Sequence, residues 1–251
     1  MRPFLAHAVA ALTLACFGTV AAAEPVTLTA ADGVQVFGDV YRSGSVKAPV
    51  IVAFHQADSS AAEYAPIAPR LATAGYTVLA IDQRSGGGHF GGKNRTVAAL
   101  GKSAGYDAAL PDLEAALAWA QREAKGAPVI VWGSSYSAAL VFRLAAAHPR
   151  EVSAVVAFSP AEYLEPKGSV AKAAAQVGVP VYIDQASQGD SDEVAHAAAV
   201  LRAVKSKDKQ QTRLKAPSTH GASMLRADAN AAGAEAHWQP LLKFLSRFRV
   251  S

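Results

Sequence analysis

The sequence predicts an α/β domain: a mostly parallel sheet flanked by helices on both faces. Three observations predict it. Residues 50–54, 77–81, 128–132 and 153–158 are short runs, apolar nearly throughout and rich in β-branched side chains, as strands covered on both faces require. Segments with apolar residues at helical spacing lie between them, so strands and helices alternate along the chain. Half of the 251 residues are apolar, enough to bury the core of one full domain.

Taken in order, residues 26–30 and 34–41 alternate apolar and polar side chains around Ala31-Asp32-Gly33, which predicts an antiparallel hairpin at one sheet edge. The buried strand 50–54 ends in His55-Gln56, and a polar loop leads to a helix expected over 61–74. Strand 77–81 ends in Asp82-Gln83-Arg84 and opens into a glycine-rich loop, 85–92. Pro111 suits a first helical turn, and Leu113, Leu117 and Ala120 recur on one face of a helix reaching Glu123. Strand 128–132 runs through Gly133 and Ser135 into a helix over 136–148 that is apolar nearly all round and so is expected to be buried. Strands follow at 153–158 and 180–183, then a helix over 191–204 and a more polar last strand at 211–215. Trp238, Leu241, Leu242 and Leu245 line the closing helix.

The first 23 residues form a different kind of segment. A positive start at Arg2, an apolar stretch over 4–20 and Ala21-Ala22-Ala23 describe a secretory signal peptide cleaved before Glu24. This predicts an exported protein, periplasmic or secreted, with one domain over 24–251 and no membrane contact after cleavage. The only cysteine, Cys16, leaves with the signal, so disulfides, thiol chemistry and cysteine-based zinc sites are excluded from the mature chain. The net charge of +4 is mild and its basic residues are scattered, which argues against nucleic acid as a partner.

In open parallel sheets the chemistry gathers at the carboxyl ends of the strands. Here those ends carry His55-Gln56, Asp82, Ser135, Pro160, residues 184–190 and His220. Ser135 sits on a strand-to-helix turn, Gly133-Ser134-Ser135-Tyr136-Ser137, flanked by small residues that permit a sharp elbow; the usual second glycine is Ser137. A serine nucleophile needs a base, and the base needs a carboxylate to fix its tautomer. Of the downstream histidines, His148 suits a helix C-terminus, and His196 and His237 fall on the surface side of helices. His220, in a loop and followed by Gly221, is the expected base. Asp184, Asp190, Asp192 and Glu193 all follow strand 180–183; Asp192 and Glu193 read as first-turn residues favoured by the helix dipole. Asp190, in the loop, is the chosen acid, although with Glu193 it also makes a respectable helix cap. The oxyanion donors are expected to be the backbone N–H groups of Tyr136 and Gln56, with His55 a buried support of its loop.

The strand ending in His55-Gln56, the Asp82-Gln83-Arg84-Ser85-Gly86-Gly87 turn, the Ser135 elbow and Thr219-His220-Gly221 together resemble the α/β-hydrolase superfamily, near its small dienelactone-hydrolase-like members. The resemblance implies an eight-stranded sheet, a triad of Ser135, Asp190 and His220, and neither metal nor organic cofactor. Dienelactone hydrolases proper use a cysteine where this chain has Ser135, so the resemblance reaches the fold rather than that substrate. The segment 161–178 is too short for a separate lid domain, which predicts an open site shaped by the 85–92 loop, Tyr136, Tyr163 and Leu164. The function expected is hydrolysis of an ester-type small-molecule acyl substrate through an acyl-enzyme. A thioesterase or peptidase shares all these groups, and a ligand-binding member of the fold without catalysis is the remaining alternative.

Overall fold

The computed structural model describes residues 22–187 and 191–249. Most of the expected signal segment lies outside the described residues. So does Asp190.

Eight strands form one sheet in the order β1-β2-β4-β3-β5-β6-β7-β8. They are β1 (Ala23–Thr29), β2 (Gln35–Tyr41), β3 (Val50–Phe54), β4 (Thr77–Ile81), β5 (Val129–Ser134), β6 (Ala154–Phe158), β7 (Val181–Asp184) and β8 (Lys209–Gln211). The expected hairpin is present: β1 pairs antiparallel with β2, and β2 with β4. All the other pairings are parallel. The strand expected over 211–215 is instead centred on Lys209–Gln211, in register with Val181–Ile183. Its short, lysine-bearing edge gives weak apolar periodicity to read.

The buried runs are explained by the two covered faces. In β3, Val50, Val52 and Phe54 join one apolar cluster while Ile51 and Ala53 join the other. The first cluster lies under α3 (Leu110–Ala124), α4 (Tyr136–Ala147), α5 (Ser169–Ala174) and α6 (Ser191–Ala203). The second lies under α1 (Ala68–Thr73) and α7 (Ala234–Leu245). The pleat sends alternate side chains to opposite faces, so a strand clothed on both has no polar positions.

Two helices differ from expectation. The single helix expected over 61–74 is a 3-10 turn, Ala61–Tyr64, followed by α1. Pro66 and Pro69 explain the break, because proline has no N–H and its ring crowds the preceding turn; Pro69 is accommodated in the first turn of α1. After the glycine-rich loop comes α2 (Arg95–Leu100), not foreseen from the sequence. Asn94 caps it by accepting from the Val97 N–H, and Gly101 ends it in left-handed geometry.

Candidate active site

Ser135 occupies the junction of β5 and α4 with φ 58° and ψ −122°, a left-handed conformation that an L-residue adopts only when its surroundings enforce it. The Ser135 N–H donates to the Phe158 carbonyl at 2.8 Å, tying the elbow to β6. Gly133 makes the approach possible: a Cβ there would lie 2.2 Å from the Ser137 carbonyl oxygen. Ser137, where a glycine is usual, is bonded into the site. Its hydroxyl donates to the His55 carbonyl at 2.6 Å and accepts from Gln83 Nε2 at 2.7 Å.

His220 meets the elbow from the far end of the sheet. Its Nε2 is 2.7 Å from Ser135 Oγ, and its Nδ1 is 2.5 Å from Glu193 Oε1. The carboxylate on His220 Nδ1 is therefore Glu193, which the sequence alone marks as a first-turn residue favoured by the helix dipole, where the expected acid is Asp190. Glu193 does occupy the first turn of α6. That turn begins so close to the end of β7 that its third residue faces the histidine. Glu193 Oε2 accepts from Ser159 Oγ at 2.8 Å and from the Ala186 N–H at 3.2 Å. Burial acts to raise the Glu193 pKa, but the bonds from His220, Ser159 and Ala186 outweigh it and hold the carboxyl below its ordinary value. Ser159 also receives the Gly221 N–H at 3.0 Å, so it links acid and histidine loop. Its φ of 52° at the end of β6 had no sequence signal beyond the neighbouring Pro160.

Among the described residues, Asp184 and the other downstream histidines have separate surroundings. Asp184 is buried against His237, whose Nδ1 is 3.0 Å from Oδ2, and accepts from the Tyr182 hydroxyl at 3.1 Å. His237 is fully buried, contrary to the surface position expected of it, because α7 turns that face inward under β7. His196 is exposed, and His148 is half-buried with Nδ1 3.0 Å from Glu151. Asp192 is exposed in the first turn of α6.

The loop after β3 departs from expectation in one atom. The Gln56 N–H, expected to face an oxyanion, donates to Glu63 Oε2 at 2.7 Å and points into the protein. Sequence gave no hint of this, since Glu63 was expected in a helix with no assigned role. The next amide along, at Ala57, makes no hydrogen bond among the described residues. The Tyr136 N–H begins α4, where the first amides have no intrahelical acceptor. His55 is fully buried as expected. Its Nδ1 donates to the Gln56 carbonyl at 2.8 Å, and its Nε2 accepts the Gln83 N–H at 3.0 Å. Burial lowers its pKa to about 4, so it is a neutral brace.

The rim also differs. Tyr136 is buried rather than pocket-lining: its hydroxyl donates to the Ser85 carbonyl at 3.0 Å, and Tyr106, 39% exposed, stacks on its ring at 4.3 Å. Leu164 is fully buried as well. The glycine-rich loop is tied down, with Gly87 and His89 donating to the Ser59 and Asp58 carbonyls and the Arg226 guanidinium 4.3 Å above the Phe90 ring.

Residues 45–242 match the model of the family described as serine aminopeptidase, S33. The chain belongs to this family of α/β-hydrolases and is a serine hydrolase. None of the curated proteins compared with it matches. Among solved structures, an esterase from Pyrococcus furiosus is 22% identical, with a TM-score of 0.67 over 91% of this chain and 93% of that one. A dienelactone hydrolase from Anabaena variabilis is 15% identical, with a TM-score of 0.70 over 92% of this chain and 100% of that one. A cold-adapted esterase from an Arctic intertidal metagenomic library is 15% identical, with a TM-score of 0.70 over 93% and 96%. At such identities the likeness is one of fold, and the expected α/β-hydrolase architecture is that fold.

Proposed function

We propose that this chain is an ester hydrolase working through an acyl-enzyme, with Ser135 as nucleophile, His220 as base and Glu193 as the orienting acid. The observation that carries the reading is the unbroken run from Ser135 Oγ through His220 to Glu193, at 2.7 Å and 2.5 Å, built on a left-handed elbow. Ser135 Oγ attacks the acyl carbon while its proton passes to His220 Nε2. Glu193 stabilises the resulting imidazolium. As the tetrahedral intermediate collapses, the same proton goes to the leaving oxygen, which departs as the alcohol. Water then attacks the acyl-enzyme with His220 again as base, releasing the acid and restoring the serine. The oxyanion donors in this reading are the N–H groups of Tyr136 and Ala57, since that of Gln56 serves Glu63. An ester is favoured over an amide by the solved esterases of the same fold, whereas the family description names an aminopeptidase.

The reading extends to export: a mature chain beginning at Glu24 and forming one domain, acting on a small-molecule substrate in the periplasm or medium. N-terminal sequencing of exported protein that began elsewhere would move that boundary.

The decisive experiment treats purified mature protein with a fluorophosphonate and maps the adduct by mass. Labelling at Ser135, strongly reduced in His220→Ala, is expected; no adduct there, or one undiminished in that variant, overturns the triad. Turnover of p-nitrophenyl acetate compared with alanine p-nitroanilide then separates esterase from aminopeptidase.

A further inference from the structure

The buried carboxylate of Glu63 touches two of the pieces that frame the nucleophile and reaches a third through one hydroxyl. Its side chain is fully buried in the 3-10 turn after β3. Oε2 accepts the Gln56 N–H of the loop after β3 at 2.7 Å. Oε1 accepts the Ser134 hydroxyl of the elbow at 2.7 Å, and Ser134 Oγ accepts the Ala222 N–H, two residues past His220, at 2.8 Å. The fit is close around this contact: a Cβ on Gly221 would lie 2.3 Å from Ser134 Oγ and 2.7 Å from Gln56 Oε1. Arg226 Nη1 donates to the Ala62 and Glu63 carbonyls at 2.7 and 2.9 Å, holding the turn itself in place.

A carboxylate buried with no guanidinium or ammonium on its own oxygens is costly, and an apolar side chain would fill the space without that cost. The step that justifies it is geometric. We propose that Glu63 is a positioning residue, whose carboxylate holds the loop after β3, the Ser135 elbow and the His220 loop in a single register. The proposal rests on the Ser135–His220–Glu193 reading above. Both neighbours donate to the ionised carboxylate; a protonated Glu63 keeps its contact with Ser134 only by donating to that hydroxyl, which leaves the Ser134 proton without this acceptor. Burial pushes its pKa up to about 7, opposed by the Ser134 and Gln56 bonds and by the charges of Arg226 and His220 from the segment after β8; Tyr64 lies beside it in the same turn. Protonation of Glu63 therefore shapes the acid side of the activity profile, alongside the neutral base that the proposed mechanism requires.

The test compares Glu63→Gln with wild-type mature protein on p-nitrophenyl acetate across pH. A misplacement of this kind is expected to lower kcat by about a hundredfold with KM within about twofold. The acid limb of log kcat/KM should relax from a slope steeper than one to a slope of one. Glu63→Gln with wild-type kcat and an unchanged acid limb overturns the proposal. Should that variant not fold, Ser134→Ala decides, since it leaves Glu63 on Gln56 and cuts the arm to Ala222. A kcat-selective loss supports the proposal; wild-type kcat overturns it. Wild-type protein that fails to label at Ser135 brings down the triad reading and the proposal together, whereas a labelled wild type beside an unaffected Glu63→Gln brings down the proposal alone.

Discussion

Glu193 and His220 are joined at 2.5 Å although they come from different elements, one from the first turn of α6 and the other from the segment after β8. Glu193 is anchored on its other oxygen by Ser159 and Ala186, so it offers His220 a fixed acceptor. Orientation of this kind sets which nitrogen of the imidazole carries the proton. Replacing the carboxylate with an amide keeps the shape and loses the tautomer. In the Ser-His-Asp template such a change costs about 10⁴-fold in kcat, and a similar loss is expected for Glu193→Gln. Ester hydrolysis by Glu193→Gln and Asp190→Asn, measured side by side, checks the assignment; the larger loss must fall on Glu193.

Ser137 sits where the superfamily pattern has glycine, yet it carries two hydrogen bonds in a fully buried position. Restoring the pattern with Ser137→Gly leaves the His55 carbonyl without this donor. The variant is expected to lose about 1–3 kcal/mol of stability, seen as a lower urea midpoint at unchanged slope.

Arg84 joins Asp112 and Asp32 beneath the glycine-rich loop. Its Nε is 2.9 Å from Asp112 Oδ1, and Asp112 is fully buried. Arg84→Met removes the charge paired with that carboxylate and leaves it the backbone N–H of residue 84 at 2.8 Å. A loss of about 3–5 kcal/mol is expected by denaturant unfolding, whereas Asp32→Asn, removing the partner that is 44% exposed, costs far less.

Glu63 also marks stability. Its folded pKa of about 7 lies above its ordinary 4.5, so the native state holds a proton that the unfolded chain has released. Its contribution therefore becomes less favourable as pH rises from about 4.5 to 7, by roughly 3 kcal/mol. Unfolding of Glu63→Gln should lack this decline, so its stability relative to wild type improves across that window. Parallel curves for the two proteins would contradict the assignment.

Most of the fold was legible because the β strands are clothed on both faces, which leaves long apolar runs at positions such as Val50–Phe54. The meeting of Ser135 and His220 was legible for a related reason: each follows a strand, beside glycines that a close approach demands. The acid was not. Glu193 lies three residues into a helix, where a carboxylate has an ordinary local explanation, and only the position of α6 against the His220 loop separates it from Asp192. Gln56 was misassigned because the direction of one amide depends on a partner, Glu63, whose own placement follows from Pro66 breaking the expected helix.

Ser134 and Ser135 are adjacent and chemically identical, and they share the same elbow. One hydroxyl stands 2.7 Å from an imidazole, and the other lies inward between a carboxylate and an amide. Placement here is a matter of address: the backbone reversal at φ 58° sends neighbouring side chains to opposite destinations, so the same functional group stands once beside an imidazole and once as a strut.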